Sequence, residues 1–243
     1  MGHSVVRRGY VPDDEKAFGI KALPTLRKAA EEIQFLINRG YPIKTTSTFV
    51  GNHYLLSERQ RLALARSIAT DEALKKRRAK EIKSNPQGQC LFIDGLNLII
   101  TLEVALSGST LIEGMDGTVR DLAGLRGTYK LIDKTDQAIL LIGEQLQKWQ
   151  IHKVVFYLDA PVSNTGRLKV RLLELLGHYP FEVDVVLVPN ADVILEGLEY
   201  VVSSDAIILD QCKSWVNLGA TIIKESINGA YLVNCEGHKE YGI

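Results

Sequence analysis

From residue 89 onward, apolar runs of strand length alternate with helically spaced segments, and this alternation restricts the fold more than any other feature of the chain. Strands separated by helices are the pattern of β-α-β units, whose strands run parallel and whose sheet is covered by helices on both faces. The reading predicts strands at 90–93, 153–158, 183–188, 200–202 and 220–223, and a short edge strand at 231–233. Helices are predicted at 133–148, 165–176, 192–199 and 210–218. The expected class is α/β: a three-layer sandwich around a mainly parallel sheet.

The chain before this pattern reads differently. Residues 24–38 carry Leu26, Ala29 or Ala30, Ile33 and Leu36 or Ile37 on one helical face, with Pro24 in the first turn and Gly40 just past the end. A second helix should start at Ser57, where Ser57 and Gln60 have capping-box spacing, and run toward the basic cluster at 75–80. Val50-Gly51-Asn52-His53-Tyr54 reads as a turn in which Gly51-Asn52 takes positive φ. Charge divides at the polar stretch 83–88. Residues 1–87 hold 17 Lys or Arg against 9 Asp or Glu, and the remainder 12 against 20, so a net charge of zero conceals +8 and −8. The expected organisation is a small basic helical domain, 1–87, followed by an α/β domain, 88–243. Such a division suits either attraction between the two parts or handling of a polyanion. Arg59, Arg61, Arg66, Lys76 and Arg77 are the candidate nucleic-acid contacts, and ordinary surface ion pairing is the competing fate of each.

Several classes drop out. Cys90, Cys212 and Cys235 form no C-x-x-C pair, which argues against a disulfide framework or a zinc knuckle. No apolar run reaches the length of a membrane span, the start of the chain carries no lipidation signal, and no phosphate-binding G-x-x-x-x-G-K-[ST] loop occurs. A cytoplasmic protein with no membrane partner is expected, and a homo-oligomer is left open.

The chemistry is expected where strands end in acid. Leu91-Phe92-Ile93 runs straight into Asp94, and a carboxylate buried there is costly without a partner. Asp159 closes the second strand, Asp192 follows the third, and Asp205 and Asp210 flank 206–209 after the fourth. In open parallel sheets, ligands bind beyond the carboxyl ends of the strands, near the point where strand order reverses. Carboxylates gathered there repel one another unless a cation neutralises them, and oxygen-only ligands point to magnesium or manganese. Two such ions about 4 Å apart activate water and stabilise a leaving oxygen in phosphodiester hydrolysis. Asn97 could hold a metal-bound water or a substrate oxygen. Helix capping is the ordinary alternative for Asp192 and Asp210, whereas Gly95-Leu96-Asn97-Leu98 is an unpersuasive helix start after Asp94. The glycine-rich, charged stretch 101–129 reads as an ordered loop over the site. There Arg120 and Arg126 could bind phosphate and Glu103 or Asp116 could complete a metal shell. Arg167, behind Ser163-Asn164-Thr165-Gly166, stands near a helix start suited to phosphate or to simple capping.

Asp94-Gly95-Leu96-Asn97 resembles the D-G-x-N signature of NYN nucleases in the PIN-like superfamily. Ser203-Ser204-Asp205 is similar to their later S-x-D element, with Asp192 in the place of the preceding acid. The resemblance spans residues 89–225, and the helical region before it resembles the partner domain beside such domains in uncharacterised prokaryotic proteins. It implies a PIN-like sheet and a magnesium- or manganese-dependent ribonuclease, with Asp94, Asp192 and Asp205 as metal ligands, Asn97 as a positioning group and RNA as partner. Ile207 stands where the S-x-D element usually carries a further acid, and Asp159 lies outside the signature. Two other functions therefore stay open: an inactive PIN-like module that binds nucleic acid or protein, and a small-molecule phosphohydrolase, whose domains also open on a strand ending in Asp.

Overall fold

The computed structural model of the protein describes residues 6–124 and 127–236. Five helices come first: α1 (Asp14–Phe18), α2 (Leu23–Ile37), α3 (Ile43–His53), α4 (Glu58–Ser67) and α5 (Asp71–Lys80). The α4 start is the expected capping box, with Gln60 N donating to Ser57 Oγ at 3.2 Å and Ser57 N donating to Gln60 Oε1 at 2.9 Å. The helix does not continue into the basic cluster. Ile68 is extended, and Thr70 caps a separate α5 by accepting from Ala73 N at 3.1 Å, because Thr-Asp-Glu is itself a strong helix start. Gly51 and Asn52 belong to α3 rather than to a turn, and the positive φ falls at Leu55.

The second part runs β1 (Cys90–Asp94), α6 (Gly95–Leu106), β2 (Leu111–Glu113), β3 (Val119–Asp121), α7 (Asp133–Lys148), β4 (Lys153–Asp159), α8 (Thr165–Leu176), β5 (Glu182–Val188), α9 (Ala191–Leu195), β6 (Val201–Val202), α10 (Ala206–Gln211), α11 (Leu218–Ser226) and β7 (Leu232–Asn234). Strands β5-β4-β1-β6 form a four-stranded, wholly parallel sheet. One face packs Leu91, Ile93, Val154, Phe156 and Leu158 against α6, α7, α8 and α11. The other carries Phe92 and Tyr157 beneath a smaller cluster from α9, α10 and Trp215. The α/β class with a helical N-terminal part is thus present.

Three expectations need correction. Residues 220–223 are helical, inside α11, since a short apolar run rich in β-branched residues reads the same in a buried helix as in a strand. Residues 210–218 are not one helix: α10 starts earlier, on the Asp205 cap, and Trp215 instead bridges to Val201 and Glu81. The stretch from 101 is not one loop: it is the end of α6 followed by a hairpin, and only residues of its later part, Arg120, Asp121, Ala123 and Gly127, lie at the site.

That hairpin builds a second sheet, β3-β2-β7, which the sequence did not announce. Alternation along β2 serves two cores at once: Leu111 enters the main α/β core, while Ile112 joins Phe18, Leu26, Ile33 and Leu64 of the N-terminal helices. Helix α6 is apolar nearly all round, with only Asn97 and Leu106 short of full burial, as expected of a helix enclosed on every side. Charge follows the same joints. Arg8 pairs with Glu103, Arg77 with Asp116 and Asp210, and Lys80 donates to the carbonyls of Asp210 and Cys212, so much of the positive half is spent on the negative half. Among the described residues no helix is long and apolar enough to cross a membrane.

Candidate active site

Strand order reverses at β1: β4 and β5 lie on one side of it and β6 on the other. The crevice expected at such a switch point opens beyond the ends of β1 and β6. It is a cleft of about 500 Å³ lined by Asp94, Asn97, Asp159, Asp192, Asp205, Ser204 and Ala206, and also by Ala65, Arg66, Ile68, Arg120 and Asp121. Four strand ends therefore bring four carboxylates to one space.

Each is held by local chemistry. α6 begins directly at Gly95, with Asp94 as its cap: Asn97 N donates to Asp94 Oδ1 at 3.4 Å. The segment thus starts a helix after all, because the apolar residues after Asn97 are buried and outweigh the poor propensity of glycine. Gly95 is needed for closeness, since a Cβ there would lie 2.6 Å from Leu158 Cδ2 and 3.1 Å from the Tyr157 carbonyl oxygen. Ser203 Oγ donates to Asp94 Oδ2 at 2.9 Å and accepts from Asp205 N at 3.0 Å. Asn97 Oδ1 accepts from both Ser204 N, 3.0 Å, and Ser204 Oγ, 2.9 Å. The Asp-Gly-Leu-Asn and Ser-Ser-Asp segments are thereby bonded to each other across 107 residues of chain.

Burial pushes the Asp94 carboxyl up to about 7. The hydrogen bonds from Ser203 and Asn97 oppose this, and the negative charges of Asp192 and Asp159 add to it. Asp205 caps α10 by accepting from Ile207 N at 2.7 Å and Ile208 N at 3.4 Å. Asp159 Oδ1 accepts from Ala191 N at 2.8 Å, which ties the end of β4 to α9. Asp192 is no cap, since Asn190 Oδ1 takes that role with Asp192 N and Val193 N. Its carboxyl is raised by burial and then by the charges of Asp205, Asp159 and Glu196. These are groups short of positive charge. Among the described residues no three His, Cys, Asp or Glu side chains gather closely enough to hold a metal ion by themselves. The oxygen-only donors suit a hard cation that keeps several of its waters, as magnesium does when bound through one or two carboxylates.

Other candidates are placed elsewhere. Asp210 does not line the cleft: it takes Nε and Nη2 of Arg77 at 2.7 and 2.8 Å, so it is an ion-pair partner, not a ligand. Asp116 sits between Arg77 and Arg120, and Glu103 is enclosed with Arg8, Tyr129 and Thr135, so neither is available to a metal shell. Arg59 is spent on Asp14 and on the carbonyls of Leu122 and Gly9. Arg61 donates to the Leu56 carbonyl and packs over Gly51. Arg77, 5% exposed, and Arg120, 9%, are buried and each donates to protein acceptors from all three guanidinium nitrogens, so neither is a free phosphate binder. Lys76 is exposed and pairs with Glu72, Arg167 is exposed on α8 away from the cleft lining, and Arg126 lies outside the described residues. Ile207 is 60% exposed and does not line the cleft, whereas Ala206 does. Sequence reading missed Asp121 as a cleft residue. It ends a three-residue strand, too short to leave a periodic signal.

The comparisons with known proteins follow the same two segments. Residues 25–80, covering α2 to α5, match a family model described as a protein of unknown function (DUF434). An uncharacterized protein of Methanocaldococcus jannaschii is 37% identical over 187 residues, which is 76% of this chain and 89% of the relative. No solved structure matches. A second family model, described as a domain of unknown function (DUF5616), matches residues 83–221, which contain the whole carboxylate edge of the parallel sheet, and the chain belongs to that family.

Proposed function

We propose that the protein is a magnesium- or manganese-dependent nuclease of PIN-like type, acting on phosphodiester bonds of RNA. One observation carries this reading: Asp94, Asp159, Asp192 and Asp205, delivered by four separate strand ends, line one cleft at the switch point of a parallel sheet. One or two of Asp94, Asp192 and Asp205 would hold the cation, which would keep several of its waters, with Asp159 beside them. Bound there, it would polarise a phosphoryl oxygen and lower the pKa of a water nucleophile. The protein's own groups prepare the site. Ser203 fixes Asp94 Oδ2, Ser204 fixes the carbonyl end of the Asn97 amide, and the remaining amide group of Asn97 is left to position a substrate oxygen. Asp94, raised by burial, is the carboxylate with the most to gain from a cation. The three free cysteines suit a reducing, cytoplasmic setting.

The test is incubation of the full chain with labelled single-stranded and structured RNA, with manganese or with EDTA. Metal-dependent cleavage that disappears in Asp94→Asn and Asp205→Asn supports the nuclease. RNA binding without metal-dependent cleavage, unchanged in those variants, sinks it in favour of a binding module. A second reading, hydrolysis of a small phosphate ester, draws on the size of the cleft, which lies within the range that holds a small ligand, and on the lack of any aromatic ring in its lining. Turnover of small phosphate esters with no action on RNA would select it.

A further inference from the structure

With the four carboxylates the cleft lining offers three guanidinium groups, Arg66, Arg77 and Arg120. Two donate to the protein from every nitrogen. Arg77 gives Nε and Nη2 to Asp210 and Nη1 to Asp116, and Arg120 gives Nε to the Ser204 carbonyl, Nη1 to the Arg66 carbonyl and Nη2 to Asp116. Arg66, in the last turn of α4, donates only Nη1, to the Asp121 carbonyl, and its side chain is 37% exposed. Among the described residues it is the cleft arginine with two nitrogens, Nε and Nη2, that donate to no acceptor in the protein. The nearest carboxylate oxygen, Asp121 Oδ1, is 3.9 Å from Nη1, too far for a hydrogen bond.

We infer that Arg66 binds a phosphate oxygen of the substrate in the cleft it shares with Asp94 and Asp205, so that the N-terminal helices complete the site. The inference rests on the proposed phosphodiester chemistry. A guanidinium with an open N–H edge is suited to paired donation to phosphate, and a cation sharing a cleft with carboxylates can hold a phosphate that also meets a metal ion. Its placement is built in. The buried Arg120 guanidinium, anchored on Asp116, holds the Arg66 carbonyl with one nitrogen and the Ser204 carbonyl with another. Ser204 in turn holds Asn97. One buried group therefore ties the Arg66 backbone to the Ser204 backbone, and Arg120 is a positioning residue.

The experiment compares wild type, Arg66→Gln, Arg66→Lys and a Lys28→Gln control on an exposed face of α2. It reads RNA cleavage in manganese, RNA binding in calcium as a function of salt, binding of inorganic phosphate in magnesium, and thermal melting. If wild type cleaves RNA, Arg66→Gln should lower kcat/KM and phosphate affinity roughly 10- to 100-fold and reduce the salt slope of RNA binding by about one, with only a small fall in melting temperature from loss of the Asp121 contact. Arg66→Lys should recover part of the affinity, because charge is kept and the fork is lost. Cleavage by wild type together with unaltered kcat/KM in Arg66→Gln overturns the inference and leaves the nuclease reading standing. If wild type cleaves no RNA, the nuclease reading falls, and phosphate decides the matter of Arg66: binding lost in Arg66→Gln upholds the anion site, whereas equal binding, or none in wild type, overturns it.

Discussion

Ser203 donates its hydroxyl hydrogen bond to Asp94 Oδ2 at 2.9 Å, joining the end of β6 to the end of β1 where the order of the parallel sheet reverses. That single bond places the later Ser-Ser-Asp element on top of the earlier Asp-Gly-Leu-Asn element.

Asp94 should cost the fold stability in return for its place in the cleft. Its folded pKa is raised from 3.8 to about 7, so between those values the folded state holds a proton that the unfolded chain has lost. Stability contributed by the protonated form is present in acid and is lost as pH rises through about 7. In EDTA at pH 8, Asp94→Asn should therefore melt higher than wild type, by on the order of 1–3 kcal/mol. Adding magnesium or manganese should raise the wild-type melting temperature more than that of the variant. Equal response of the two to metal would remove Asp94 from the ligand set.

Substitution can separate the helix cap that Asp205 provides from the role at the metal proposed for it. Asp205→Ser keeps an oxygen for Ile207 N and Ile208 N, so stability should stay within about 0.5 kcal/mol of wild type, whereas Asp205→Ala should lose about 1 kcal/mol. Both should abolish metal-dependent cleavage. Denaturant melts set beside cleavage assays check this, and an active Asp205→Ser would show the carboxylate to be a cap alone.

Asp116 and Asp210 share Arg77 but differ in depth, with side chains 1% and 42% exposed. Burial alone would raise the Asp116 carboxyl, but Arg120, Thr118 and Arg77 hold it down at about 2. Its contribution is present above about 4 and fades as pH falls toward 2. Asp116→Asn should cost about 3–5 kcal/mol at neutral pH, the loss expected on breaking a buried ion pair. Asp210→Asn should cost under about 1 kcal/mol and leave catalysis intact, consistent with its pairing to Arg77 outside the cleft. Urea melts across pH separate the two.

Gly95→Ala should be disproportionately harmful for one added methyl group. The new Cβ would crowd Leu158 and the Tyr157 carbonyl, forcing β4 away from the start of α6 at about 1–3 kcal/mol. Because Asp94 and Asn97 flank that start, activity should fall further than stability predicts, and the ratio of kcat loss to melting shift is the measurement.

Two parts of the fold were legible for different reasons. The helices α2, α7 and α8 and the strands β1, β4 and β5 are long enough for their periodicity to be read, and Ser57 with Gln60 marks the α4 start by chemistry alone. Short pieces were mostly not: β2 and β3 have three residues each and leave no periodic signal, β7 is legible only as the short edge strand expected at 231–233, and α11 reads as a strand because Ala220–Ile223 is a short run rich in β-branched residues.

The sequence by itself determined that acids end the strands of a parallel sheet, because that pattern is written residue by residue along the chain. Only the tertiary structure decided which acids and bases remain available. Asp210, Arg77 and Arg120 look no different in sequence from Asp205 and Arg66. They are set apart because the folded chain brings opposite charges from distant segments into contact in a low-dielectric interior, where each buried charge must find its partner. What those pairings leave over, Asp94, Asp159, Asp192, Asp205 and one edge of Arg66, is the chemistry of the cleft.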